Sequence, residues 1–201
     1  MEHSFRRIAV VGGIAVGKST IVGALSTRIK NCQVILEDVS QNVFLEDFYG
    51  NMSKWGFHSR ISTLSMITAN YLSCKPEEYS CAIFDRCVDE LITFAQMHYD
   101  RGNMSAKEYA VYRSLYASIT SLAPPIDLFV YCKCSPKTSL ERIKKRNRSF
   151  EQGINIAYIE ELNAYYESWL GKVDKNRVEI VNTDSETDLS RIEDIVLRYL
   201  S

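Results

Sequence analysis

The sequence predicts an α/β fold, a five-stranded parallel sheet flanked by helices. Three observations carry that expectation. Short apolar runs alternate with longer segments of helical period. The runs are continuously apolar, as strands covered on both faces require. A glycine-rich turn lies directly between the first run and the first helical segment. With 201 residues, 46% hydrophobic and 24% charged, the chain fits one globular domain over 1–201 with a single core.

The elements follow in order. IAVVG (8–12) is the first strand, followed by a helix from about Lys18 to Ile29. QVIL (33–36) is the second strand. DFYGN (47–51) reads as a tyrosine-bearing turn, and a long helix follows from about Ser53 to Cys74. SCAIFD (80–85) is a third buried run, and VDELITFAQMHYD (88–100) has helical period. SAKE (105–108) is a capping box, Ser105 with Glu108, that opens a helix ending near Leu122, before Pro124 and Pro125. DLFVYC (127–132) is the fourth strand, and Ser135-Pro136 starts the next helix. INIAYIEELNAYYESWL (154–170) places its apolar and aromatic residues on one helical face. VEIV (178–181) is the fifth strand, and LSRIEDIVLRYL (189–200) is a last helix. There are no repeats, low-complexity tracts or linkers.

A formal charge of -1 supplies no global field for nucleic acid or membrane, so neither is expected as a partner. The six cysteines have no disulfide or metal spacing, and the three histidines form no ligand cluster, which points to a reducing, cytoplasmic setting. MEHSFRR runs straight into the first strand, and no apolar run approaches membrane-spanning length; secretion and membrane insertion are not expected.

GGIAVGKST (12–20) supplies the sharpest motif, Gly12-x4-Gly17-Lys18-Ser19, after a strand and before a helix. This is a P-loop in its required context. Backbone amides from Gly12, Gly13, Ile14, Ala15, Val16, Gly17 and on to Thr20 can surround a triphosphate. Lys18 would reach its outer phosphates, and the Ser19 hydroxyl would bind Mg2+. ATP and Mg2+ are therefore the expected cofactors.

In a doubly wound sheet, ligands gather beyond the carboxyl ends of the strands. Glu37 and Asp38 end the second strand, and Asp85 and Arg86 end the third. A hydroxyl acceptor needs a group to take its proton, which a strand-end carboxylate can do. RIKKRNR (142–148) supplies positive charge for a moving phosphoryl group. Arg142 and Arg146 share a helix face, and Arg148 follows past the helix end. The same run also fits a solvated basic helix end or a nuclear-import patch.

Taken together, these residues resemble the cellular and viral deoxynucleoside kinase family, related to deoxycytidine, deoxyguanosine and mitochondrial thymidine kinases, over nearly the whole chain. The resemblance implies a P-loop kinase fold with an arginine-rich lid over about 142–153. It implies ATP-dependent phosphorylation of a deoxyribonucleoside 5′ hydroxyl, and a homodimer. Position by position, it makes Glu37 the general base, in EDV where the family has Glu-Pro-Val. Tyr49 matches the tyrosine at the sugar 3′ hydroxyl, and Trp55 to Arg60 match a Trp-x-x-x-x-Gln motif that packs on and reads the base. Asp85-Arg86-Cys87 stands for Glu/Asp-Arg-Ser, with Asp85 helping to place Mg2+ and Arg86 beside the 5′ oxygen and the base glutamate. Phe94 matches the residue stacked on the base. Arg142, Arg146, Arg148, Glu151, Gln152 and Gly153 match the lid, with Glu151 at the 3′ hydroxyl. By residue chemistry alone, Trp55 and Phe94 fit plain core equally well, and Glu37 fits a surface or capping carboxylate.

Four departures bear on substrate choice. Asp38 replaces the proline beside the base, and Cys87 replaces serine. Leu91 falls where purine- and cytidine-preferring relatives carry aspartate, and an apolar residue there resembles thymidine-accepting and broad-specificity members; Glu90 points about 100° away on the helix. Arg60 replaces glutamine and offers donors only, suiting acceptor pairs such as guanine O6 and N7 or cytosine N3 and O2. It also fits an internal partner of Asp85 or Glu151. Two other functions compete: a nucleoside monophosphate kinase of thymidylate kinase type, and a catalytically impaired ATP-binding regulatory protein.

Overall fold

A computed structural model describes residues 5–185 and 189–200. Five strands form one sheet: β1 (Arg6–Val11), β2 (Cys32–Ile35), β3 (Cys81–Asp85), β4 (Leu128–Lys133) and β5 (Val178–Asn182). The spatial order is β2-β3-β1-β4-β5, and every pairing is parallel. The central strands alternate their side chains between two covered faces. Ile8 and Val10 pack on α1 (Lys18–Arg28) and α8 (Leu189–Leu200) through Ile21, Leu25, Ile192 and Val196. Ala9, Val11, Phe84 and Phe129 face the other way, into a larger core. That core is closed by α3 (Met52–Leu72), α4 (Leu91–Asp100), α5 (Ala106–Leu122) and α7 (Ile156–Leu170).

The helix starts follow from local chemistry. Ser105 and Glu108 form the capping box of α5, with both reciprocal bonds made. Ser135 caps α6 (Pro136–Arg146), whose first residue is proline. Asn51 and Asn155 cap α3 and α7 through their side-chain oxygens.

Three local expectations change. The tyrosine-bearing segment is not a turn but part of a six-residue helix, α2 (Leu45–Gly50), too short to display a period. Helix α4 begins at Leu91, after a turn in which the Leu91 N–H donates to the Val88 carbonyl (3.1 Å). Cys32 and Cys81 are register partners on β2 and β3 with Cα atoms 4.8 Å apart, and they form a disulfide. Parallel register brings them together across 49 residues, a pairing that cysteine spacing does not reveal.

Candidate active site

The phosphate loop leaves β1 at Gly12 and enters α1 at Lys18. Gly12 has φ 140° and Gly17 φ 94°. A Cβ on Gly12 would meet the Cys132 carbonyl oxygen at 2.6 Å, so only glycine fits there. Lys18 is buried, and its Nζ donates to the carbonyls of Gly12 (3.1 Å) and Gly13 (2.7 Å). Burial, followed by the nearby Arg86 charge, holds its ammonium below the ordinary lysine range.

Beside the loop lies a cavity of about 640 Å3. Ile14 through Thr20 line one end; Glu37, Tyr49, Arg60, Arg86, Leu91 and Phe94 line the other; Arg142, Arg146, Arg148 and Glu151 border it. Chain order scatters these groups: the phosphate loop, Glu37 and Arg86 follow β1, β2 and β3, while Tyr49, Arg60, Leu91, Phe94, Arg142 and Arg146 come from the helices α2, α3, α4 and α6. Trp55 does not line the cavity: it stacks on Phe44 (5.6 Å) and meets His58 edge-on.

Glu37 and Arg86 form the centre. Arg86 Nε donates to Glu37 Oε2 at 2.8 Å, with 10% and 15% of the two side chains exposed. Burial pushes the Glu37 carboxyl up, but the Arg86 and Lys18 charges outweigh it and hold the group below its ordinary range. Arg86 has φ 75°, a left-handed backbone unusual for a side-chain-bearing residue. Strain of this kind persists only where surrounding contacts enforce it.

Ser19 donates its hydroxyl to Asp85 Oδ2 at 2.6 Å, while Asp85 Oδ1 is buried with no hydrogen-bond partner among the described residues. A hydroxyl and an unsatisfied carboxylate oxygen beside a phosphate loop fit the hard oxygen ligands that Mg2+ takes. At the rim of the cavity, Arg146 holds buried Glu151 bidentately (2.7 and 2.6 Å), and Arg148 approaches the same carboxylate at 3.5 Å. Tyr49 stacks on Phe150 at 5.7 Å, beside Glu151. Arg142 reaches instead to Thr183, whose hydroxyl donates to the Val16 carbonyl at 2.7 Å.

Arg60 is only 7% exposed. Its guanidinium lies over Phe48 (4.9 Å) and Phe94 (5.2 Å), and Nη2 donates to Ser59 Oγ (3.1 Å). It pairs with neither Asp85 nor Glu151, and its Nε has no hydrogen-bond partner among the described residues. Sequence reasoning missed four contributors. Asn42, on the turn after β2, donates to Ser59 and Thr63 and fixes that turn to α3. Thr183 seats Arg142. Glu90 and Tyr166 stand behind Arg86. None belongs to a motif, and each also makes contacts with residues distant in sequence.

A phosphate loop facing a carboxylate–guanidinium pair, with arginines closing the rim, defines a phosphotransferase that brings a nucleotide to a second small ligand. The family model described as "Deoxynucleoside kinase" matches residues 8–199. The chain is 32% identical over 197 residues to the deoxyadenosine/deoxycytidine kinase of Bacillus subtilis, covering 94% of this chain and 89% of that protein. Among solved structures, M. mycoides deoxyadenosine kinase with bound dATP is similar at TM-score 0.81 and 28% identity, covering 98% of this chain and 100% of that one. The chain belongs to the deoxynucleoside kinase family. It is a kinase, of a family that phosphorylates deoxyribonucleosides with ATP.

Proposed function

We propose that this kinase transfers the γ-phosphoryl group of ATP to the 5′ hydroxyl of a deoxyribonucleoside, with a pyrimidine preferred. The Glu37–Arg86 pair carries this reading: a carboxylate kept ionised by a buried guanidinium, between the phosphate loop and the aromatic half of the cavity. Glu37 accepts the 5′ proton, and Arg86 and Lys18 face the charge that develops on the transferring group. Arg142, Arg146 and Arg148 act as the lid cations, and Tyr49 and Glu151 are placed to hold the sugar. Ser19 and Asp85 would hold Mg2+, which neutralises phosphate charge when bound.

Phe94 supplies the face for the base. Within the pyrimidines the two pocket residues favour different bases: buried Leu91 puts no carboxylate under an exocyclic amino group, which favours thymine, while the Arg60 donors match an acceptor pair such as cytosine N3 and O2. Relatives are named for deoxyadenosine, so purine and pyrimidine nucleosides both enter the test. A homodimer is also proposed, through helices flanking the sheet. Among the described residues no helix is long and apolar enough to cross a membrane.

The test is monophosphate formation from Mg-ATP and each of the four natural deoxynucleosides, using wild type, Glu37→Gln and Arg60→Gln. Glu37→Gln should lose about 10²–10⁴-fold in kcat, the usual contribution of a general base. Arg60→Gln should reorder the nucleosides while retaining turnover. Transfer to dTMP but to no nucleoside, or tight ATP binding without transfer, would overturn the reading.

A further inference from the structure

Glu90 lines no part of the cavity, yet it occupies the joint on which the site turns. It is fully buried. Its Oε2 accepts from the backbone N–H of Gly12 (3.1 Å) and from the Tyr166 hydroxyl (2.6 Å). Its Oε1 stands 3.5 Å from Arg86 Nη1, with no hydrogen-bond partner of its own among the described residues. The same Nη1 donates to the Tyr166 oxygen at 3.3 Å. On its far side, Arg86 gives Nε to Glu37. One carboxylate thus touches the first residue of the phosphate loop and the back of the guanidinium. It also stands immediately before α4, the helix that carries Leu91 and Phe94.

A buried carboxylate is costly unless it is paired and hydrogen-bonded. Glu90 shares its cation with Glu37, which places three charged groups in line, Glu37, Arg86 and Glu90. The left-handed backbone of Arg86 gives that guanidinium a fixed origin, and Glu90 with Tyr166 fixes its rotation. Without them, Arg86 could swing away from Glu37, or Glu37 could follow it.

We propose that Glu90, acting with Tyr166, is a positioning residue: it holds Arg86 against Glu37 and ties that pair to the phosphate loop through Gly12. Base and triphosphate are thereby kept in register. The proposal rests on Glu37 being the general base. Three variants separate its parts. Glu90→Gln keeps an oxygen for Gly12 and Tyr166 but offers Arg86 no charge. Glu90→Ala keeps neither function. Tyr166→Phe removes one hydroxyl and leaves the ring in the core.

The experiment combines steady-state kinetics on all four deoxynucleosides, equilibrium binding of MgADP, and thermal unfolding. Glu90→Gln should lower kcat about 10–100-fold for every nucleoside, the range for groups that orient a reacting residue, with nucleoside KM and MgADP affinity within about threefold of wild type. Glu90→Ala should also weaken MgADP binding about tenfold, because the Gly12 amide loses its anchor. Tyr166→Phe should lower kcat in the same sense. The double variant Glu90→Gln/Tyr166→Phe should lose less than the product of the two single losses, since both act through Arg86.

An unchanged kcat in Glu90→Gln, whatever its melting temperature, would overturn the proposal and leave Glu90 a buried structural group. A loss confined to one nucleoside would make it a base-reading residue instead, and multiplicative losses would make the two residues independent. If the Glu90 variants do not fold, unchanged kcat in Tyr166→Phe overturns it alone. A wild type that phosphorylates no nucleoside would sink the assigned function. The binding arm would still decide the tie to Gly12, which fails if Gln and Ala at position 90 bind MgADP equally.

Discussion

Glu37 and Glu90 flank the same guanidinium, and their carboxyls are displaced in opposite directions. For Glu90, burial dominates and raises the carboxyl above its ordinary range despite Arg86 and Lys18. For Glu37, burial acts the same way, but the charges of Arg86 and Lys18 and the hydrogen bond from Arg86 prevail. The difference follows from geometry: Glu37 receives the Nε bond at 2.8 Å, while Glu90 sees the cation at 3.5 Å. A carboxyl lowered in the folded state contributes stability above its unfolded value, near 4.5, and loses it as pH falls through the folded value. Carboxyl-carbon NMR of labelled protein should therefore show Glu37 titrating below 4.5 in wild type and moving upward in Arg86→Gln, where burial acts unopposed by that charge. A wild-type midpoint at or above the ordinary value would remove the basis for an ionised base. Arg60 shows the reverse case of sequence legibility. Its donor-only chemistry was readable, but both partners foreseen for it are engaged elsewhere, Asp85 by Ser19 and Glu151 by Arg146.

At the scale of elements, α3 shows how packing decides a position that propensity would decide differently. Gly56 lies inside this helix, where alanine ordinarily gains about 1 kcal/mol. A Cβ there would meet the Asn103 carbonyl oxygen at 2.3 Å, a backbone atom on the loop between α4 and α5. Overpacking of this kind costs about 1–3 kcal/mol, so Gly56→Ala should lower the melting temperature by several degrees. Gly23→Ala, in α1 with nothing within 4 Å of its Cβ, should raise it slightly. Calorimetry on the two variants checks both signs, and equal shifts would contradict the packing account. The long elements and the phosphate loop were legible because period, caps and glycine spacing are local signals. Helix α2 was hidden by its six-residue length and by a Gly50-Asn51 end that looks like a turn. The role of Glu90 was hidden because its partners Gly12 and Tyr166 lie 78 and 76 residues away. Hydrophobic period predicts which way a helix faces, but not which strand end a buried polar group will meet.

At the scale of the molecule, the order β2-β3-β1-β4-β5 places β1 at the centre, so the phosphate loop emerges between the strand ends that carry Asp85 and Arg86 on one side and Cys132 on the other. The same layering leaves one helix face without cover. Helix α5 turns Tyr109 and Tyr112 inward, while Val111, Leu115 and Leu122 on its outer side are 57%, 42% and 85% exposed. These three lie four and seven residues apart, on one stripe of the helix. Aligned exposed apolar side chains on one helix mark an association surface more often than scattered ones do. A two-fold pairing of α5 with its copy would bury the stripe against itself, as isologous dimers require. The proposed homodimer therefore predicts a sedimentation mass of twice the 23.0 kDa chain. Val111→Glu/Leu115→Glu would bring unpaired like charges together across the two-fold axis, a penalty of several kcal/mol per buried ion, and should yield a folded monomer. A wild type that sediments as a monomer at micromolar concentration, or a double variant that remains dimeric, would remove α5 as the dimer surface.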